Sequence, residues 1–328
     1  MFLKLQLDYL YWLQNIRETT QNFLTPFFLH ATKFGEYMIP ILTCSTIYWC
    51  INKKLGILMI LNTAAALMIN QLLKNIACIY RPWMLDSRIK PVEAALRYAG
   101  GYSFPSGHSS LALSCWGSLG LWYKENKKIV FSAILICLAV AFSRNYLGVH
   151  TLQDIIIGLL TAYITLIAFH RLLKWCEQKE HRDLILAIAT TVISLFITIY
   201  TSLKGYPTDY DANGLILVAP ETHKWESLPK LGLMLGSVWG WYIENNFVKF
   251  TPETQSLKEK IICGICGIIP LMLITKYTMP LWKDAYGKDF GGLGFMITVS
   301  LFITLIYPWI YKNIIAKKML PAQKTESI

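Results

Sequence analysis

The strongest constraint on the fold of this 328-residue chain is a series of apolar runs, each long enough to cross a lipid bilayer. About 20 apolar residues span the hydrocarbon core as a helix, and backbone groups inside lipid must pair within their own segment. The sequence therefore predicts an all-α, polytopic membrane bundle of about nine transmembrane helices. The nine runs cover roughly residues 35–51, 55–79, 106–123, 129–147, 151–173, 184–203, 228–243, 261–280 and 292–315.

Composition excludes the main alternatives to a membrane protein. Apolar residues make up 54% of the chain and charged residues only 16%, whereas a soluble domain carries about 25% charged residues. Intrinsic disorder requires the opposite balance of low hydrophobicity and high charge. The net charge of +11 suits loops or a site that hold anionic groups. Because nucleic-acid-binding motifs are missing from the sequence, we expect no nucleic-acid partner.

The ends of the chain predict its arrangement across the membrane. Residues 2–16 are apolar and aromatic but interrupted by polar positions, which predicts an amphipathic helix in the membrane interface, within a segment 1–34. Loops on the side of the C-terminus hold Lys and Arg at about twice the density of the opposite loops, so the positive-inside rule places the C-terminus in the cytoplasm.

The seventh run carries a regular stripe of small residues. Gly232, Gly236 and Gly240 recur at every fourth position. Small residues at this spacing let helix backbones approach closely. We therefore predict tight helix packing at this stripe.

A first polar group, Lys74 and Arg81, lies at the end of the second run, in the string KNIACIYRP. Seven residues make about two helical turns, so both cations are predicted on one helix face. A Lys inside an apolar run is energetically costly and indicates a function. The alternative is that both side chains extend to the membrane surface.

A second group, Pro105-Ser106-Gly107-His108, opens the third run. Pro and Ser are typical of helix starts, and Gly lets a ligand approach the backbone. The free N–H groups of a helix N-terminus bind anions, which would put His108 beside a bound anion. The same string is also compatible with an ordinary helix cap.

A third group, Arg144, His150 and Asp154, lies in the string SRNYLGVHTLQD. If the fifth helix begins near His150, positions 150 and 154 share a face, and the carboxylate can hold one imidazole nitrogen. A His nucleophile or base is prepared in this way. All three groups are predicted at the same, extracytoplasmic or lumenal, ends of their helices. The cations, the helix N-terminus and the two His residues of the three groups are together typical of a phosphate-binding site.

In this order, K-x6-R-P, P-S-G-H and S-R-x5-H-x3-D resemble the three signature motifs of the type 2 phosphatidic acid phosphatase superfamily. The resemblance covers about residues 55–175. It implies a membrane phosphatase that forms a phosphohistidine and needs neither a metal nor another cofactor. It further implies that His150 is the nucleophile, Asp154 its orienting partner and His108 the general acid. The phosphate cradle implied by the resemblance consists of Lys74, Arg81, Ser106, Gly107 and Arg144.

We predict that the interfacial segment 1–34 is followed by a catalytic core at 35–203, with motifs at 74–82, 105–108 and 143–154, and by a three-span helical extension at 204–328. The expected partners of the protein are membrane lipids and a lipid or polyprenyl (di)phosphate substrate, and its oligomeric state is left open. The span number also resembles sphingosine-phosphate phosphatases and glucose-6-phosphatases, so a sugar-phosphate phosphatase is an alternative. A non-enzymatic anion-binding or transport protein is a second alternative.

The predicted sidedness can be tested by cysteine labelling. After the native cysteines are replaced, an impermeant thiol reagent should label a single cysteine in the loop 204–227 from outside, whether that loop is a lid over the site or a simple connector. A cysteine at 124–128 should react only after permeabilisation. The reverse pattern would place the site in the cytoplasm.

Overall fold

The computed structural model describes residues 2–97, 99–211 and 213–319, and helices account for most of them. The α-helical segments are, in chain order, α1 (Phe2–Thr19), α2 (Thr25–Ala31), α3 (Met38–Thr46), α4 (Lys53–Ala77), α5 (Pro82–Leu85), α6 (Glu93–Leu96), α7 (Gly107–Ala112), α8 (Ser118–Trp122), α9 (Lys127–Tyr146), α10 (Leu152–Cys176), α11 (Arg182–Leu203), α12 (Glu221–Lys224), α13 (Leu228–Ile243), α14 (Leu257–Leu301), α15 (Tyr307–Ile310) and α16 (Ala316–Met319). Short 3-10 or π-helical turns lie at Thr32–Gly35, Ile47–Ile51, Leu113–Gly117, Glu244–Val248, Pro252–Thr254, Phe302–Ile306 and Tyr311–Ile315. The expected all-α, membrane-type bundle is confirmed.

Within the part of the chain that the structure describes, five helical stretches are long and apolar enough to cross a membrane, judged by length and composition. They are Lys53–Leu85, Lys127–Tyr146, Leu152–Cys176, Arg182–Leu203 and Leu257–Ile315. The last stretch is broken at Gly287, whose φ of 76° is readily adopted only by glycine. The exact count of nine spans stays a prediction.

Helix α4 lies at the centre of the bundle. It is apolar on nearly all sides and buries Leu55, Leu58 and Leu61, and along its length it contacts α7, α10 and α13. A helix that is hydrophobic all round is typical of a buried position. The central place of α4 brings its C-terminal end, where Lys74 lies, into the middle of one end of the bundle.

The predicted tight packing of the seventh apolar run is observed between α13 and the end of α14. A Cβ atom added at Gly232 would collide with the carbonyl oxygen of Leu293, and the next two glycines of the stripe face the hydroxyls of Ser300 and Thr304 just as closely. The absence of side chains at these three glycines is therefore what lets the two backbones approach. Since α13 also contacts α4 and α11, this packing ties the C-terminal part of the chain to the centre.

Helix α1 lies at the end of the bundle that holds the predicted site. It buries Leu7, Leu10 and Leu13 and exposes a second apolar face that includes Phe2 and Trp12. The buried Arg17 donates to the carbonyl oxygens of Tyr146 (3.1 Å) and Lys90 (2.6 Å). These bonds fasten α1 to the end of α9 and to the loop between α5 and α6. Its location in the membrane interface stays a prediction.

The close approach of α13 and α14 predicts a strong effect of one added methyl group. Gly232→Ala should lower the midpoint of thermal unfolding in detergent, because overpacking costs about 1–3 kcal/mol. The matched control is Gly264→Ala, also helical, where the new Cβ would lie 3.6 Å from Cys50 Sγ, an ordinary contact. Equal midpoints for the two variants would contradict the packing described above.

Candidate active site

The predicted site residues come together where α4 ends, α7 begins and the connection from α9 to α10 passes between them. Nη1 of Arg81 lies 3.0 Å from Nε2 of His150, and the amide of Ser106 donates to the carbonyl oxygen of Asp154 (2.8 Å). His108 lies within electrostatic range of His150 and Arg81. The three motifs therefore form one cluster.

Asp154 is fully buried and collects several donors on one oxygen. Its Oδ2 accepts hydrogen bonds from Ser103 Oγ (2.6 Å) and from the amide of Thr151 (2.8 Å), and it lies 3.4 Å from Nδ1 of His150. Ser103 Oγ is itself 3.3 Å from the same Nδ1. The imidazole is thus held from its Nδ1 side by a carboxylate and a hydroxyl.

The contact between Arg81 and His150 determines the tautomer of the imidazole. A guanidinium group can only donate, so Nε2 of His150 is the acceptor and carries the lone pair, while the ring proton is on Nδ1 and faces Asp154. Burial, followed by the positive charges of Arg81, Arg144 and Lys74, holds the pKa of His150 well below its usual value. His150 is therefore neutral, with its free nitrogen directed at the cations.

The route by which His150 meets Asp154 differs from the expectation that both lie on one helix face. Helix α10 begins at Leu152, and Thr151 before it is extended, with φ −83° and ψ 171°. Asp154 is the third residue of α10, where a carboxylate is favoured by the helix dipole and can accept from the first amides. His150 is brought back to it by a turn at Gly148, whose φ is +75°.

The expectation that Lys74 and Arg81 share a helix face is also wrong. Helix α4 ends at Ala77, and Cys78 has a left-handed φ of 48°, so Arg81 lies beyond the helix. Both cations instead contact the backbone segment Gly100–Tyr102, which we call the carbonyl segment.

Backbone oxygens of the carbonyl segment hold both of these cations in place. Lys74 Nζ donates to the oxygen of Tyr102 (2.8 Å), while Arg81 donates from Nε to Gly101 (3.1 Å) and from Nη2 to Gly100 (2.9 Å). A third Arg81 nitrogen, Nη1, donates to the carbonyl oxygen of Val149 (3.0 Å). These neutral acceptors orient the two side chains and leave their positive charge uncompensated.

Ser106 and Gly107 form the start of a helix, as predicted. Ser106 is the N-cap of α7, and its Oγ accepts from the amide of Ser109 (3.4 Å). Around Gly107 the structure leaves space, since an added Cβ would find only Asn70 Oδ1 within 4.0 Å. An anion can therefore approach the first amides of this helix.

Arg144 is almost fully buried and has unused donors. Its Nη1 donates to Thr32 Oγ1 (2.8 Å), but among the residues that the structure describes neither Nε nor Nη2 has a hydrogen-bond partner. An unsatisfied buried donor costs about 1–3 kcal/mol, and more when it is charged. A phosphate oxygen is a ligand that would satisfy both nitrogens.

Sequence reasoning missed Ser103, Thr32 and the carbonyl segment. Ser103 is one of three serines in the long connection between α4 and α7, and the carbonyl groups of Gly100–Tyr102 belong to the backbone and have no sequence signature. For metals, the described residues include no group of three or more His, Cys, Asp or Glu side chains placed to hold an ion. Metal independence stays a prediction.

Comparison with known proteins identifies a family that part of the chain resembles. Residues 55–178 match the family model of the PAP2 superfamily. We call this matched stretch the PAP2 domain. The resemblance read from the three motifs is thus confirmed, and the PAP2 domain contains all of the predicted site residues.

Three curated proteins are similar to part of the chain. They are phosphatidylglycerophosphatase B of Bacillus subtilis (29% identical over 136 residues, 38% of this chain and 62% of that protein), undecaprenyl-diphosphatase of Sulfolobus acidocaldarius (26% over 139, 42% and 65%) and undecaprenyl-diphosphatase BcrC of Bacillus subtilis (28% over 145, 44% and 67%). The chain thus spans 62–67% of the length of these relatives. No solved structure matches the chain significantly.

Proposed function

We propose that this protein is an integral membrane phosphatase that hydrolyses a lipid or polyprenyl phosphate through a phosphohistidine, without a metal ion. The observation that carries the proposal is the state of His150, a neutral imidazole whose Nε2 lone pair points at a cluster of cations while Asp154 and Ser103 hold its other nitrogen. This arrangement suits nucleophilic attack on a bound phosphoryl group. The names of the three relatives support a lipid or polyprenyl substrate.

In the proposed reaction the phosphate binds among Lys74, Arg81 and Arg144, and one of its oxygens replaces the contact between Arg81 and His150. The Nε2 lone pair attacks phosphorus, an N–P bond forms and the bond from phosphorus to the ester oxygen breaks. His108 takes up a proton together with the phosphate anion and gives this proton to the leaving oxygen. It then takes a proton from water, whose oxygen attacks the phosphohistidine and releases phosphate. The cations and the helix N-terminus stabilise the charge on the equatorial oxygens in both steps.

We further propose that this site opens on the extracytoplasmic or lumenal side, which the charge distribution of the loops supports. The catalytic core is proposed at 35–203, with 204–328 as the extension. None of the three relatives is named as a sugar phosphatase.

Phosphate release by the full-length protein in detergent tests the proposed function. We expect release from phosphatidylglycerophosphate, phosphatidate or undecaprenyl diphosphate in excess EDTA, and inhibition by orthovanadate, which occupies the phosphate site as a transition-state mimic. Release from glucose 6-phosphate alone would favour the sugar phosphatase. Rescue by magnesium after complete loss in EDTA would point to another mechanism, and no release at all would favour an anion-binding protein.

The two histidines should differ in what their loss abolishes. His150→Ala should remove both turnover and any trapped phosphohistidine in rapid-quench experiments, because no N–P bond can form. His108→Ala should slow a substrate with an alkoxide leaving group by ~10²–10⁴-fold. It should slow p-nitrophenyl phosphate far less, if that substrate is accepted, because its leaving group needs little protonation.

A control histidine is available on the same element as the catalytic aspartate. His170, near the other end of α10, can be replaced by Ala and should leave turnover unchanged. If His150→Ala still accumulates phosphohistidine and His108→Ala does not, the two roles are exchanged and the assignment is wrong.

A further inference from the structure

The loop 204–227 joins α11 to α13 and lies outside the PAP2 domain, yet it contacts the first motif. Lys204 Nζ donates to the carbonyl oxygen of Asn75 (2.5 Å) and lies 3.2 Å from Cys78 Sγ. Farther along the loop, Asp209 Oδ2 accepts from Tyr80 Oη (2.7 Å). The loop thus lies against the residues between Lys74 and Arg81.

The end of this loop is seated on the carbonyl segment. The His223 ring is fully buried and stacks on Tyr102, with ring centroids 4.4 Å apart and planes at 24°. A Cβ added at Gly101 would lie 2.5 Å from Cε1 of His223 and 3.5 Å from Oε1 of Glu226. The backbone that orients Lys74 and Arg81 therefore has His223 and Glu226 on its other flank.

Glu226 brings a carboxylate to the edge of the phosphate site. Its Oε2 accepts from Gln71 Nε2 (3.0 Å) and lies 3.3 Å from His223 Nδ1, and the side chain is still 23% exposed. It interacts electrostatically with both Lys74 and Arg81, although its direct contacts are with Gln71 and His223. The carboxylate therefore stands apart from the cations, with accessible surface of its own.

The surroundings of Glu226 favour the charged form of its carboxylate. Burial by itself raises the pKa of Glu226, but the hydrogen bond with His223 and the charges of Lys230 and Lys74 outweigh it and bring that pKa to about 2. A fixed negative charge beside a phosphate site opposes the binding of a phosphate dianion. A substrate that places a hydrogen-bond donor between the phosphate and Glu226 would turn the repulsion into an attraction.

We propose that Glu226 is a specificity residue that accepts a hydrogen bond from a donor group on the carbon next to the phosphoester carbon of the substrate. A protonated amine is the strongest such donor, because its charge balances the carboxylate, and a hydroxyl is the weaker form of the same chemistry. The proposal rests on the proposed phosphatase function and narrows its substrate class to lipid phosphates with a donor at that position.

Three alkyl phosphates of equal chain length test this proposal: octadecyl phosphate, 2-hydroxyoctadecyl phosphate and 2-aminooctadecyl phosphate. The wild-type protein should prefer the amino compound over octadecyl phosphate in kcat/KM by about tenfold or more, as expected for a charge-assisted hydrogen bond, with the hydroxyl compound between them. Glu226→Gln should lose most of this preference while hydrolysing octadecyl phosphate at least as well as the wild type does.

Two further variants separate recognition from structure. Glu226→Asp keeps the charge on a shorter side chain and should retain part of the preference, with the midpoint of thermal unfolding as the check on folding. Glu93→Gln makes the same chemical change at an exposed glutamate on α6 and should leave all three values unchanged.

Several results would overturn the proposal. Equal wild-type kcat/KM values for the three compounds would do so. So would a Glu226→Gln variant that changes all three values by one common factor, because Glu226 would then only position Lys74 or repel phosphate. If the wild type hydrolyses none of them or any other lipid phosphate, the proposed function fails. The dissociation constants of the same three compounds for wild type and Glu226→Gln then decide the recognition proposal by the same ratios.

Discussion

Asp154 connects the parts of the site through hydrogen bonds that run between distant segments. Its Oδ2 accepts from Ser103 in the long loop after α4 and from the first turn of α10, its carbonyl oxygen accepts from Ser106 at the start of α7, and it faces His150. An ionised carboxylate without partners is very costly to bury. The folded state therefore requires these donors together, and the same requirement positions the imidazole.

The positive charge of the site depends on the neutral acceptors around it. Arg81 is oriented by backbone oxygens, and Arg144 by the hydroxyl of Thr32. Acceptors of this kind satisfy N–H groups without cancelling the charge, so the field at the helix N-terminus of α7 stays positive before any anion arrives. Such preorganisation avoids rearrangement during phosphoryl transfer.

The sequence predicted the features that depend on neighbouring residues, such as helices and helix starts. It did not predict the features that depend on contacts between residues far apart in the chain. The apolar runs predicted helices because lipid leaves the backbone no other partners, and Ser106 was recognisable as a helix start. The end of α4 at Ala77 was not recognisable from the sequence, because Cys78 takes a left-handed conformation that its residue type does not favour. Thr32 meets Arg144 across 112 positions of sequence, and no local pattern contains such a pairing. The residues of the site were therefore easier to predict than the backbone conformations that position them.

The PAP2 domain ends at residue 178, whereas the loop that flanks its carbonyl segment begins at 204. The catalytic groups and the surface that borders them thus come from separate stretches of the chain, which can diverge at different rates. Two proteins with identical motifs can share the bond-breaking chemistry and still meet different molecules at the rim of the site. Sequence similarity over the PAP2 domain is therefore informative about the reaction and much less informative about the preferred substrate.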